Sequence, residues 1–101
     1  MRKVRRVPLV DIELRQAADY YESASTGLGK RFLADVECAI GSLATDLVDH
    51  AIRFQDIRRV NLKKFPYALY YLLDADDVIV IAVLHTHADT REKLLRRRRL
   101  L

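Results

Sequence analysis

His85 and His87 form an H-x-H pair at the end of an apolar run, with Asp89 two residues further on. On a strand, alternate residues share a face, so all three would point the same way if the strand persists. That grouping could hold a metal ion or supply an acid and a base. The same two histidines would serve equally well as a strand end that hydrogen-bonds backbone or water. With no second ligand cluster, the pair specifies no metal site. Arg58, Arg59, Lys63 and Lys64 make a second group. Alternation would put Arg59, Asn61 and Lys63 on one face and Arg58, Val60, Leu62 and Lys64 on the other, so one face is polar and basic. Such a face either contacts phosphates or is simply solvated. Tyr67, Tyr70 and Tyr71 follow along the next apolar run, where their rings either stack on bases or fill a half-buried sheet. A third cationic group is the terminal run Arg96 to Arg99, set between Leu94, Leu95, Leu100 and Leu101. Cys38 is alone, which excludes an internal disulfide and any cysteine-based zinc site, and it reads as a small core residue.

The elements that must position these groups follow from periodicity. Residues 2 to 8 predict a first strand, with Pro8 at its end. From Asp11, a candidate N-cap, the apolar residues Leu14, Ala17 or Ala18, and Tyr21 recur at helical steps. SASTGLG at residues 23 to 29 breaks the pattern. A second helix is expected from Leu28 to Asp46, its core face built of Phe32, Val36, Ala39, Ile40, Leu43 and Leu47. Two amphipathic helices joined so briefly form a hairpin, and something else must cover them. Strands are expected over Ile57 to Lys64, Tyr67 to Leu73 and Val78 to Leu84, with Phe65-Pro66 and Asp74 to Asp77 between them. The last of these has no polar face and belongs in the middle of a sheet. The expected class is α+β: a strand, a helical hairpin, a three-stranded antiparallel meander, and residues 90–101 as a short basic helix or tail. Removing residues 90–101 is expected to weaken engagement of a target more than folding.

With 101 residues, half of them apolar and 32% charged, the chain is long enough for one domain with one modest core. The apolar content argues against disorder, and no apolar stretch approaches the roughly 20 residues of a membrane span. No h-region follows the basic start, so a cytoplasmic protein is expected. The net charge of +4 conceals strong segregation. Residues 1 to 10 hold four cations and no acid, residues 11 to 49 hold eight acids against three bases, and residues 91 to 101 hold six cations against one acid. Should the basic segments meet in space, they would form a face suited to nucleic acid or an acidic protein.

Several stretches together resemble the RelE/ParE toxin superfamily, and most closely its ParE branch. They are A-D-Y-Y-E at Ala18 to Glu22, G-L-G-K-R-F-L at Gly27 to Leu33, I-R-R-V at Ile57 to Val60, F-P-Y at Phe65 to Tyr67, and I-A-V-L-H at Ile81 to His85. Their order and spacing match from about Val4 to Asp89. The resemblance implies a helical hairpin on a small antiparallel sheet, agreeing with the elements above. It also implies the toxin half of a type II toxin-antitoxin module, joined to a cognate antitoxin in a hetero-oligomer and needing no cofactor.

Two activities are open within that superfamily. RelE-like members cleave mRNA on the ribosome, and here Lys63, Lys64, Tyr67, His85 and His87 would have to supply base, cation and acid. The RelE pattern carries an arginine directly after the F-P-Y tyrosine and another near the end of the last strand. This chain has Ala68 and Ala88 there. ParE-like members bind and inhibit DNA gyrase, which would assign target contact to Arg59, Lys63, His85, His87, Arg91, Arg96 and Arg97. A family member without toxicity is the remaining alternative.

Overall fold

Val78 to Leu84 can lie in the middle of a sheet only if both of its faces are covered, and that requirement organises the molecule. The computed structural model describes residues 2–45 and 52–101. The elements run β1 (Val4–Arg6), α1 (Pro8–Ala24), α2 (Leu28–Thr45), β2 (Ile52–Phe54), β3 (Ile57–Asn61), β4 (Tyr67–Asp74), β5 (Asp77–His85) and α3 (Arg91–Arg99). They form one five-stranded sheet in the order β1-β5-β4-β3-β2. The expected antiparallel meander is present, and β2 lengthens it by one short strand. β1 lies on the other side of β5 and runs parallel to it. The α1/α2 hairpin covers one sheet face through Val10, Leu14, Phe32, Val36 and Leu43. On the opposite face, Leu94 of α3 is fully buried against Ile57, Tyr70, Leu72 and Ile81.

Several expectations need correction. The first strand is only Val4–Arg6, and Pro8 opens α1 instead of closing the strand. Pro is suited to the first helical position because its φ is already helical and no partner is needed for the missing N–H. Asp11 therefore sits in the first turn and is not the N-cap, which is Val7. β3 ends at Asn61, three residues short, because residues 63–66 bend sharply ahead of Tyr67. Cys38 is exposed on α2, not in the core. Residues 91–99 form the helix of the expected helix or tail. The end of the second helix at Asp46, its core residue Leu47, and His50 lie outside the described residues.

Two of the three β-hairpins, β2–β3 and β4–β5, close with two-residue loops, Gln55-Asp56 and Ala75-Asp76. The first loop residue has positive φ in each, 52° at Gln55 and 54° at Ala75, a conformation costing a side chain about 1 kcal/mol or more. Gly29 answers a different demand. A Cβ there would lie 2.7 Å from the Ala18 carbonyl oxygen, so the glycine lets α2 approach α1 closely.

Candidate functional site

β5 carries a bulge that decides where its end residues point. Tyr71 pairs with Val80 and Tyr70 with Ala82, which leaves Ile81 as an extra residue. Ile81 and Ala82 both pack on the α3 side, and from there the alternation is reversed. Val83 consequently faces the helical hairpin. His85 shares that face and meets Tyr67, its cross-strand partner, with ring centroids 5.3 Å apart. Tyr67 continues into a cluster of edge-to-face and tilted rings with Tyr21, Phe32 and Phe65. Burial raises the Tyr67 hydroxyl above its ordinary value, and Tyr20 adds to the shift. Burial raises Tyr21 as well, with Tyr67 and Tyr20 contributing.

The strand ends at His85, so the H-x-H residues do not alternate as expected. His87 lies in the following turn, exposed, and its backbone N–H donates to His85 Nδ1 at 3.1 Å. The two rings stand edge to face at 5.4 Å. Asp89 is exposed beyond the turn. Among the described residues, no group of three or more His, Cys, Asp or Glu side chains is arranged to hold a metal ion.

The basic residues separate. Arg59 pairs with Tyr70, which packs on the α3 side, and its Nε donates to Asn61 Oδ1 at 3.0 Å. Lys63 and Lys64 leave the strand with the bend and line a cleft of about 590 Å³ beside α2, together with Arg31, Asp35, Cys38 and Phe65. The Lys64 backbone N–H donates to Asp35 Oδ2 at 2.8 Å, which anchors the bend to α2. The expected common face of Arg59 and Lys63 is therefore not formed.

The arginine run divides even more sharply. Arg97 reaches across the edge of β5, where β1 has ended, and its guanidinium grips both Glu13 carboxylate oxygens at 2.9 and 2.8 Å. It also donates to the Ile81 carbonyl at 2.9 Å, while Glu13 accepts the Val83 N–H at 3.1 Å. The pair thus supplies the hydrogen bonds that a neighbouring strand would have made, and its side chains are only 11% and 12% exposed. Arg98 makes a bidentate pair with Asp56, whose carboxyl the arginine hydrogen bond holds below its usual range. Arg91 rests against the Phe54 ring, and Arg96 is exposed. Sequence reasoning missed Glu13, although one signal was available. With Leu94 buried, helical geometry carries positions 97 and 98 to the same side.

Residues 4–90 match the family described as the ParE toxin of the type II toxin-antitoxin system, parDE. Among solved structures, a chain described as a chromosomal ParDE toxin-antitoxin system from P. aeruginosa superimposes with a TM-score of 0.69 at 11% identity. That match covers 84% of this chain and 96% of the other. The isolated E. coli RelE toxin superimposes with a TM-score of 0.54 at 14% identity, covering 96% of this chain and 98% of the other. No curated protein matches the chain in sequence.

Proposed function

The chain belongs to the ParE toxin family of type II toxin-antitoxin systems, and from that membership we propose that it is a cytoplasmic toxin domain that inhibits DNA gyrase by binding. A cognate antitoxin neutralises it. The observation that carries the choice of binding over catalysis is the loss of the two arginines a RelE-type ribonuclease carries, replaced here by Ala68 and Ala88. Tyr67, His85 and His87 do meet through their rings, but neither missing cation is replaced beside them among the described residues. Ala68, next to Tyr67, is fully buried. The Tyr67 hydroxyl is shifted away from the ionised form that a base requires. Exposed apolar side chains support the antitoxin part of this reading. Leu9, Ile12, Tyr20 and Leu33 leave apolar surface exposed on the helical hairpin, the kind of surface a disordered segment folds onto.

A supercoiling assay with purified gyrase tests the reading. Inhibition is expected, with cleaved DNA accumulating at physiological salt, and the double variant His85→Ala/His87→Ala should weaken that inhibition without abolishing it, since ring chemistry is not required. Ribosome-dependent cleavage of mRNA that disappears in the same variant would replace this reading with the endoribonuclease one.

A further inference from the structure

Six cations in α3 and one acid beside them are too many for the pairing that the fold supplies. Arg97 and Arg98 take the carboxylates of Glu13 and Asp56. Lys93, Arg96 and Arg99 recur every three residues along the exposed side of α3, and no ion pair holds any of them among the described residues. At 1.5 Å per residue, the three span about 9 Å of helix axis. Arg91 extends the row towards the sheet edge, where its guanidinium and that of Arg53 rest 5.9 and 6.0 Å from the centre of the Phe54 ring. The ring contacts hold these two charges in place, and the fixed packing of Leu94 holds the helix. The result is a fixed row of cations in which Glu92 is the one acid of the helix.

We infer that the outer face of α3, with Arg91 and Arg53 at its margin, binds the phosphate backbone of duplex DNA. Charge complementarity leads to this ligand. Protein interfaces centre on buried aromatic or apolar anchors; the outward positions Glu92, Lys93, Arg96 and Arg99 offer none, and the exposed Leu100 and Leu101 lie past the end of the row, not at its centre. Single-stranded nucleic acid would call for exposed rings to stack on. On this side Tyr70 is buried and Phe54 is covered by the two arginines. What remains is a lattice of cations, which reads backbone and not sequence. Arg91 and Arg96 are shared with the residues the gyrase reading assigns to target contact, but this DNA contact requires no gyrase to detect.

The test is fluorescence anisotropy of a labelled 20-base-pair duplex titrated with the full chain across a salt series, without gyrase. Five phosphate contacts predict a slope of log K against log salt near −4.5, or a loss on the order of 500-fold between about 50 and 200 mM salt. Lys93→Gln/Arg96→Gln/Arg99→Gln should reduce the slope to about −1.8 and weaken binding at least tenfold at about 100 mM salt. Lys3→Gln/Arg15→Gln/Arg31→Gln removes the same charge elsewhere and should bind like the parent. Both triple variants should retain the parent's thermal unfolding midpoint, since none of the six residues is buried. Equal weakening by the two triple variants would reduce the effect to net charge and overturn the inference. So would the absence of salt-dependent binding by the parent, or poly-glutamate competing as well as DNA at equal charge, which would assign the face to an acidic protein. Duplex binding that persists in a protein unable to inhibit gyrase would remove only the earlier reading.

Discussion

Glu22 shows how much one side chain settles where a helix begins. Its two carboxylate oxygens accept the backbone N–H groups of Gly27 and Gly29 at 2.9 and 3.0 Å, which caps the start of α2 from the last turns of α1. Those backbone bonds, first Gly27 and then Gly29, hold its carboxyl below the ordinary 4.5, and Lys30 helps. A lowered folded-state value means that the charged form stabilises the fold above the unfolded value. The contribution fades as pH falls below 4.5 and on through the folded value. Thermal midpoints measured against pH should therefore show Glu22→Gln below the parent at neutral pH, with the two converging in acid. Parallel curves would mean that the charge is not what caps the helix. Gly29 makes the same junction possible. Gly29→Ala drives a methyl group to 2.7 Å from the Ala18 carbonyl and should cost about 1–3 kcal/mol by urea denaturation. Gly41→Ala, with open space around it in the interior of α2, should gain about 0.5–1 kcal/mol.

At the scale of elements, α3 is the helix of the helix-or-tail alternative, with a fully buried leucine and an ion pair whose side chains are only 11% and 12% exposed. Arg97→Ala would leave the Glu13 carboxylate and the Ile81 carbonyl without their partner in a nearly dry site. It should cost about 3–5 kcal/mol, against well under half of that for Arg98→Ala, whose pair is open to water. Equal losses for the two variants would show that the Glu13 pair is no more than a surface contact. Deleting residues 90–101 should abolish cooperative unfolding, the opposite of what composition alone suggests. The contrast shows which features are written locally. Val36 and Leu43 on α2, and the unbroken run from Val78 to Leu84, declare their faces through spacing, so hairpin and central strand were legible. The parallel pairing of β1 with β5 joins residues more than 70 positions apart, and no local pattern encodes it. The bulge at Ile81 is equally silent in the sequence, yet it sets the side on which His85 emerges. Arg97 and Arg96 are identical in type and adjacent in sequence. Only the position of Leu94 separates a buried clasp from an exposed charge.

At the scale of the whole molecule, the sheet is a shared wall. Phe32, Val36 and Leu43 press on it from one side, and Leu94 and Leu95 from the other. Alternate residues of β4 serve the two layers: Leu69 and Tyr71 face the hairpin, while Ala68, Tyr70 and Leu72 face α3. Neither layer can loosen without exposing strands that the other needs in register, because a one-residue slip would exchange the two sets of side chains. The Arg97–Glu13 pair ties the layers directly, joining α3 to α1 around the edge of β5. Both layers should accordingly unfold as one unit. Val36→Ala and Leu94→Ala, each emptying a fully buried site on a different side, should lower the urea midpoint with an unchanged m-value, Leu94→Ala by about 2–5 kcal/mol. A second transition or a reduced m-value in Leu94→Ala would mean that α3 is a separable layer. The clasp at Glu13 would then be too weak to couple the cationic face of the molecule to its helical hairpin.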